Sequence, residues 1–110
     1  MKLFLVGSAL VALLTAVDYG PDFKPDARDG GPGTIDVSAY PEQQKKNYDM
    51  YALKCSKCHP LARSVNARFT AQDWKRYMKR MIRRPNSGIN EEQAANIYEF
   101  LKYYATKLGL

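Results

Sequence analysis

Both cysteines and the single histidine of this 110-residue chain, Cys55, Cys58 and His59, fall within five consecutive positions of the stretch KCSKCHPLAR (residues 54–63). Packing does not require such crowding, and a close cysteine pair serves three kinds of chemistry. A structural zinc site takes four protein ligands, usually two cysteine pairs or one pair joined by histidines. With no further Cys or His in the chain, a closed site here needs a carboxylate or a second chain. A thioredoxin-type redox pair sits at the start of a helix that follows a strand, in a βαβ context, and no strand pattern precedes Cys55. The third chemistry is covalent haem attachment, in which two thiols add to the two vinyl groups and the next residue places its imidazole on the iron. C-x-x-C-H is the spacing of that chemistry. The plainest alternative is a small local disulfide beside a surface histidine.

Three amphipathic segments surround these residues and no strand is evident, so the expected fold class is all-α. The first, PEQQKKNYDMYALKC, opens with Pro41, favoured at a first helical position, and Glu42, favoured in a first turn. Its apolar residues Tyr48, Tyr51, Ala52 and Cys55 recur at helical spacing. The second, TAQDWKRYMKRMIRRP, has Thr70 as N-cap with Asp73 three residues on, and Pro85 ends it near Arg83 or Arg84. The third, NEEQAANIYEFLKYYATKLG, has Asn90 as cap, Gln93 at the capping-box position and Gly109 as stop. Ala94, Ile97, Leu101, Tyr104 and Leu108 form one apolar stripe along it. There are no internal repeats.

The chain divides into three parts. Residues 1–17, MKLFLVGSALVALLTAV, carry Lys2 and then no charge until Asp18. That run is short of the about 20 residues that span a bilayer and suits a signal-peptide core; LLTAVDYG offers no clean A-x-A cleavage site, so a retained N-terminal anchor stays open. Either reading places the rest of the chain outside the cytoplasm, in a periplasmic or otherwise exported setting. Residues 18–37 are rich in Gly, Pro and Asp and read as an extended linker or a strap over the domain, with five Asp against Lys24 and Arg28. Residues 38–110 form the folded domain, with fourteen Lys and Arg against six Asp and Glu. An acidic segment beside a basic domain can fold back on it. A core this small seldom supplies more than ~3–5 kcal/mol unaided, and a staple is expected. One covalent haem meets that need: two thioether bonds and a large apolar disc around which short helices pack.

The helix leading into Cys55-Ser56-Lys57-Cys58-His59, the middle helix with an aromatic residue and methionines, and the aromatic-rich final helix together resemble a small class I-type monohaem c-type cytochrome. The resemblance covers roughly residues 38–110. It implies one haem c bound covalently through Cys55 and Cys58, with His59 as the proximal iron ligand. The helix bearing Tyr48 and Tyr51 and that bearing Ile97, Tyr98, Leu101 and Tyr104 are similar to the crossed terminal helices of that fold. The residues expected to contact the haem are Leu61, Phe69, Trp74, Tyr77, Ile82 and Pro85, each of which also reads as ordinary core.

One histidine excludes bis-histidine ligation within a single chain. Met1 lies in the targeting segment and Met50, five residues before Cys55, is poorly placed for the far face, which leaves Met78 and Met81. On a helix these two project about 60° apart with ~4.5 Å of rise, so they cannot serve equally. WKRYMKRMIRRP (residues 74–85) is similar to a segment of small bacterial c-type cytochromes in which a tryptophan is followed seven residues later by the methionine ligand. That rhythm implies Met81 as the distal ligand, with Met78 as the alternative. Typical class I proteins carry this methionine in a loop before the last helix, so a ligand at a helix end departs from the pattern.

Lys75, Arg76, Lys79, Arg80, Arg83 and Arg84 crowd the middle helix. They read as a solvated face, as partners of haem propionates, or as a docking surface for an acidic redox partner. A membrane role through the N-terminus or anionic lipid is a lesser reading; nucleic acid lacks any recognition motif here. The expected function is a single-electron carrier, not an enzyme, since no second histidine is present for acid–base work. A haem-based sensor with an open or labile sixth position, and an accessory haem subunit of a membrane redox complex, are the alternatives.

Overall fold

The computed structural model describes residues 17–110. Four helices, α1 (Glu42–Cys55), α2 (Ala62–Val65), α3 (Ala71–Arg83) and α4 (Glu91–Lys107), follow a single 3-10 turn at Ala27–Gly30. Among the described residues there is no strand, as an all-α chain requires. The expected signal or anchor segment, residues 1–17, lies outside the described residues but for Val17. Among the described residues, no helix is long and apolar enough to cross a membrane.

The three long helices begin and end where local chemistry directs. Thr70 Oγ1 accepts from the Asp73 amide at 3.2 Å and Asp73 returns the bond to the Thr70 amide at 3.0 Å. Asn90 and Gln93 make the same reciprocal pair at 2.8 and 3.1 Å. Each pair satisfies two backbone donors that a helix start leaves free. Arg84 is extended, as the residue before a proline prefers, and α3 stops at Arg83. α1 starts at Glu42, one residue after Pro41, which is its cap. α2 is the element without a sequence expectation, because four residues are too few to show an apolar period.

At the other end of α4, Gly109 takes φ +73° and the Leu110 amide donates back to the Ala105 carbonyl at 3.0 Å. This left-handed glycine turn corrects the expected apolar stripe. Leu108, the cap, is 44 % exposed, and Leu110 folds back onto the core in its place.

The core is one cluster: Tyr51 from α1, Trp74 and Met78 from α3, and Ala94, Ile97, Phe100, Leu101 and Ala105 from α4. α4 is the shared partner, packing on α1 and on α3. Between α1 and α4 the contact is aromatic, with Phe100 centred 5.2 Å from both Tyr48 and Tyr51. α2 is tied to this frame by two tyrosine hydroxyls. Tyr51 shares a hydrogen bond with Ser64, and Tyr104 donates to the Val65 carbonyl at 3.0 Å.

Residues 18–37 form a strap rather than a free linker. Asp26 caps the 3-10 turn by accepting from the Arg28 amide at 2.9 Å. Arg63 of α2 donates twice to Asp29, at 2.9 and 2.8 Å, and once to the Lys24 carbonyl at 2.8 Å. Asn66 donates to the carbonyls of Arg28 and Pro32 at 3.2 and 3.1 Å. The strap passes so close that a Cβ on Gly31 would lie 2.4 Å from Asn66 Nδ2, so a larger residue there would displace the Asn66 side chain that holds the strap. Ile35 and Val37 then pack against the core. The acidic segment thus meets the basic domain at α2 and not along the outer face of α3.

Ile97 is fully buried between neighbours on three helices, and truncating such a side chain costs ~2–5 kcal/mol. Ile97→Ala is expected to lose that much in urea unfolding. The Arg63 guanidinium holds the Asp29 carboxyl below the usual carboxylate range, and Arg28 does the same for Asp26. Carboxyls with depressed values lend stability above their ordinary pKa of about 3.9 and lose it as pH falls through the folded values. Amide exchange at Arg28 and Asp29 is therefore expected to accelerate below about pH 4 relative to amides in the middle of α4.

Candidate functional site

α1 delivers Cys55 at its last residue, half-buried, and the chain then turns through Ser56 and Lys57 to expose Cys58. Both thiols are free. Burial, and secondarily Cys58, pushes the Cys55 thiol up to about 12, so it is neutral at physiological pH. A thioredoxin-type pair instead needs a lowered thiol pKa. His59 follows, with Nδ1 3.2 Å from the Pro60 carbonyl and Nε2 3.3 Å from the Tyr77 hydroxyl. A carbonyl only accepts, so the imidazole proton belongs on Nδ1 and Tyr77 donates to Nε2. Burial lowers the pKa of His59, which favours the neutral ring with its Nε2 lone pair directed toward α3.

These three side chains line one cavity of about 950 Å³, at the upper end of the sizes that ligand pockets occupy. Trp74, Tyr77, Met78 and Met81 of α3 line the same cavity, as do Tyr51 and Leu101 of the core. The segment after α3 contributes Arg84, Asn86, Ser87 and Ile89, held near α1 by a 3.0 Å bond from Lys54 Nζ to the Gly88 carbonyl. Tyr19, Pro21, Asp22, Phe23, Lys24 and Arg28 of the strap, with Arg63 and Ser64, complete the lining.

The two candidate methionines differ in setting. Met78 is 4 % exposed and belongs to the core cluster, whereas Met81 is half-buried and lies in the last turn of α3. Both reach the cavity. Of the other expected contact residues, Trp74 and Tyr77 line it and Leu61, Phe69, Ile82 and Pro85 do not. Leu61 packs on the core, and its carbonyl accepts from the Ser64 hydroxyl at 3.0 Å. Phe69 packs on Trp74 at 4.8 Å and faces a separate cleft beside Asp73, Arg76, Lys79 and Arg80. Pro85 is exposed.

The six cations expected on one face of α3 are divided. Arg76 pairs with Asp73 at 2.6 Å, Arg80 lies over the Tyr77 ring at 5.6 Å, and Arg80 and Arg84 reach the cavity. All six are exposed, as a solvated face would be. Arg28 and Arg63 of the lining are paired with Asp26 and Asp29, while Lys24, Lys54, Arg80 and Arg84 against Asp22 leave the cavity margin cationic. An apolar interior bounded by cations suits a large flat ligand that carries carboxylates.

The strap residues and Arg63 are the site residues that sequence reasoning missed. The acidic composition of residues 18–37 signalled an attraction to the domain but not its target, since Asp29 and Arg63 are 34 positions apart. Among the described residues, no three His, Cys, Asp or Glu side chains converge as a ready-made metal set. Comparison with protein-family models, with curated proteins and with solved structures returns no match.

Trp74 is 2 % exposed and forms the wall between core and cavity. Trp74→Ala is expected to cost ~3–5 kcal/mol in urea unfolding. Phe69→Ala, at a half-buried ring outside the cavity, is expected to cost less, and the reverse order would mean that the wall lies elsewhere.

Proposed function

We propose that this chain binds one haem c covalently through Cys55 and Cys58, that His59 and Met81 would hold its iron, and that it carries single electrons outside the cytoplasm. The observation that carries the reading is that both free thiols, the only imidazole and a methionine sulfur open onto one large cavity with a cationic lining. The residues present fit the group. When bound, haem supplies a one-electron ferric–ferrous couple.

Cys55 and Cys58 would hold the group covalently, each thiol adding across one vinyl so that its proton ends on the neighbouring carbon and nothing leaves. The Pro60 carbonyl holds the His59 proton on Nδ1 and fixes the ring's orientation, so Nε2, which here accepts from the Tyr77 hydroxyl, is the atom that would take iron once that hydroxyl turns away. Met81 is preferred to Met78 because Met78 is packed in the core, while Met81 is less constrained at the end of α3. With Met81 and His59 holding the iron, a thioether in place of a second nitrogen ligand would raise the reduction potential. Arg80 and Arg84 offer bidentate partners for propionates at the cavity edge. The only histidine is then committed to iron and none remains for proton transfer to a substrate, which favours electron transfer over catalysis. The exposed Lys75, Lys79 and Arg83 suit brief docking to an acidic redox partner, either free or within a membrane complex.

Intact mass of the purified protein is expected to exceed that of the polypeptide by one haem, and no gain refutes the reading. Met81→Ala is expected to abolish the methionine–iron charge-transfer band of the oxidised protein. Met78→Ala is expected to keep the band and to lose ~2–5 kcal/mol of stability. Carbon monoxide binding to the unmodified ferrous protein at neutral pH would favour the sensor reading instead.

A further inference from the structure

Phe23 and Tyr19 of the strap form an aromatic pair, 4.9 Å between centroids, on the lining of the cavity that holds Cys55, Cys58 and His59. The strap is fastened to α2, which begins three residues after His59. Arg63 is the centre of the fastening. It grips Asp29 with two hydrogen bonds and the Lys24 carbonyl with a third, while its guanidinium lies 5.4 Å from the centre of the Phe23 ring. Arg63 and Asp29 side chains are only 20 and 14 % exposed, so this pair is better shielded from solvent than a typical surface ion pair. Asn66 adds two bonds to strap carbonyls, and its side-chain amide lies where a Cβ on Gly31 would sit.

We propose that residues 19–32 are one wall of the haem site, latched by Arg63 and Asn66, and that this wall sets the reduction potential by keeping water from the ring. The proposal rests on the haem reading above. An apolar wall disfavours the ferric form, which carries one more positive charge than the ferrous form, so closure raises the potential and opening lowers it. Tyr19 and Phe23 supply the apolar surface, and the latch decides how often it is in place.

The test uses the purified full chain and two variants that loosen the latch from opposite sides, Asp29→Asn and Asn66→Ala. The first removes a negative charge, whose direct electrostatic effect would raise the potential, and the second changes no charge. Trypsin cleavage after Arg28, followed by mass spectrometry, reports opening independently of the haem. Both variants are expected to be cut about tenfold faster than the parent, because cleavage tracks the open population. Both are also expected to shift the midpoint potential downward, with helical circular dichroism unchanged. Fast cleavage with an unshifted or raised potential overturns the wall, and unchanged cleavage overturns the latch. A purified chain without the haem mass fails the proposed function and the wall with it, whereas a haem-loaded chain with the outcomes just named fails the wall alone.

Discussion

The arrangement depends on the burial of Tyr51. Its ring is fully buried, packed at tilted angles against Tyr48 and Phe100, and its hydroxyl meets Ser64 of α2. A phenol placed there must find a hydrogen-bond partner, since an unpaired buried hydroxyl is costly. Satisfying it brings the 60–65 segment against the core. That segment carries the Pro60 carbonyl that orients His59 and the Arg63 that receives the strap. One buried side chain therefore couples the helix that ends in Cys55 to the turn that orients the imidazole.

The cavity is continuous with the core rather than cut into the surface. Tyr51, Trp74, Met78 and Leu101 belong to both. A ligand seated there contacts the side chains that hold α1, α3 and α4 together, so filling the cavity and stabilising the fold are one act. This agrees with the size of the unit: a domain of this length has little apolar area to bury by itself. The polar features are pushed to the margin, where arginines and lysines gather from four different stretches of chain.

Much of this was legible in the sequence, and the legible part is local. Cys55, Cys58 and His59 are close in sequence, as are the reciprocal caps at Thr70/Asp73 and Asn90/Gln93, and such signals survive without knowledge of the rest of the fold. The stripe on α4 was readable through Ile97 and Leu101 but overran its end, because the turn at Gly109 exposes Leu108 and returns Leu110 to the core. Leu61 and Phe69 resembled cavity residues by position alone, whereas packing turned both toward other neighbours. The strap was the least legible element. Its hold on Arg63 and Asn66 joins residues more than thirty positions apart, and neither partner has a periodic pattern to announce it.

The contact between Asp29 and Arg63 closes a loop of 34 residues that includes all of α1. The entropy of closing such a loop grows only with the logarithm of its length, and most of it is already spent by the packing of Ile35 and Val37 nearer the core. Only a short stretch, from about Tyr19 to Pro32, gains freedom when the latch lets go. Its release is therefore a small, separate event that leaves the helices intact, and its frequency can be tuned by substitutions at Gly31 or Asn66 without altering the global stability of the bundle.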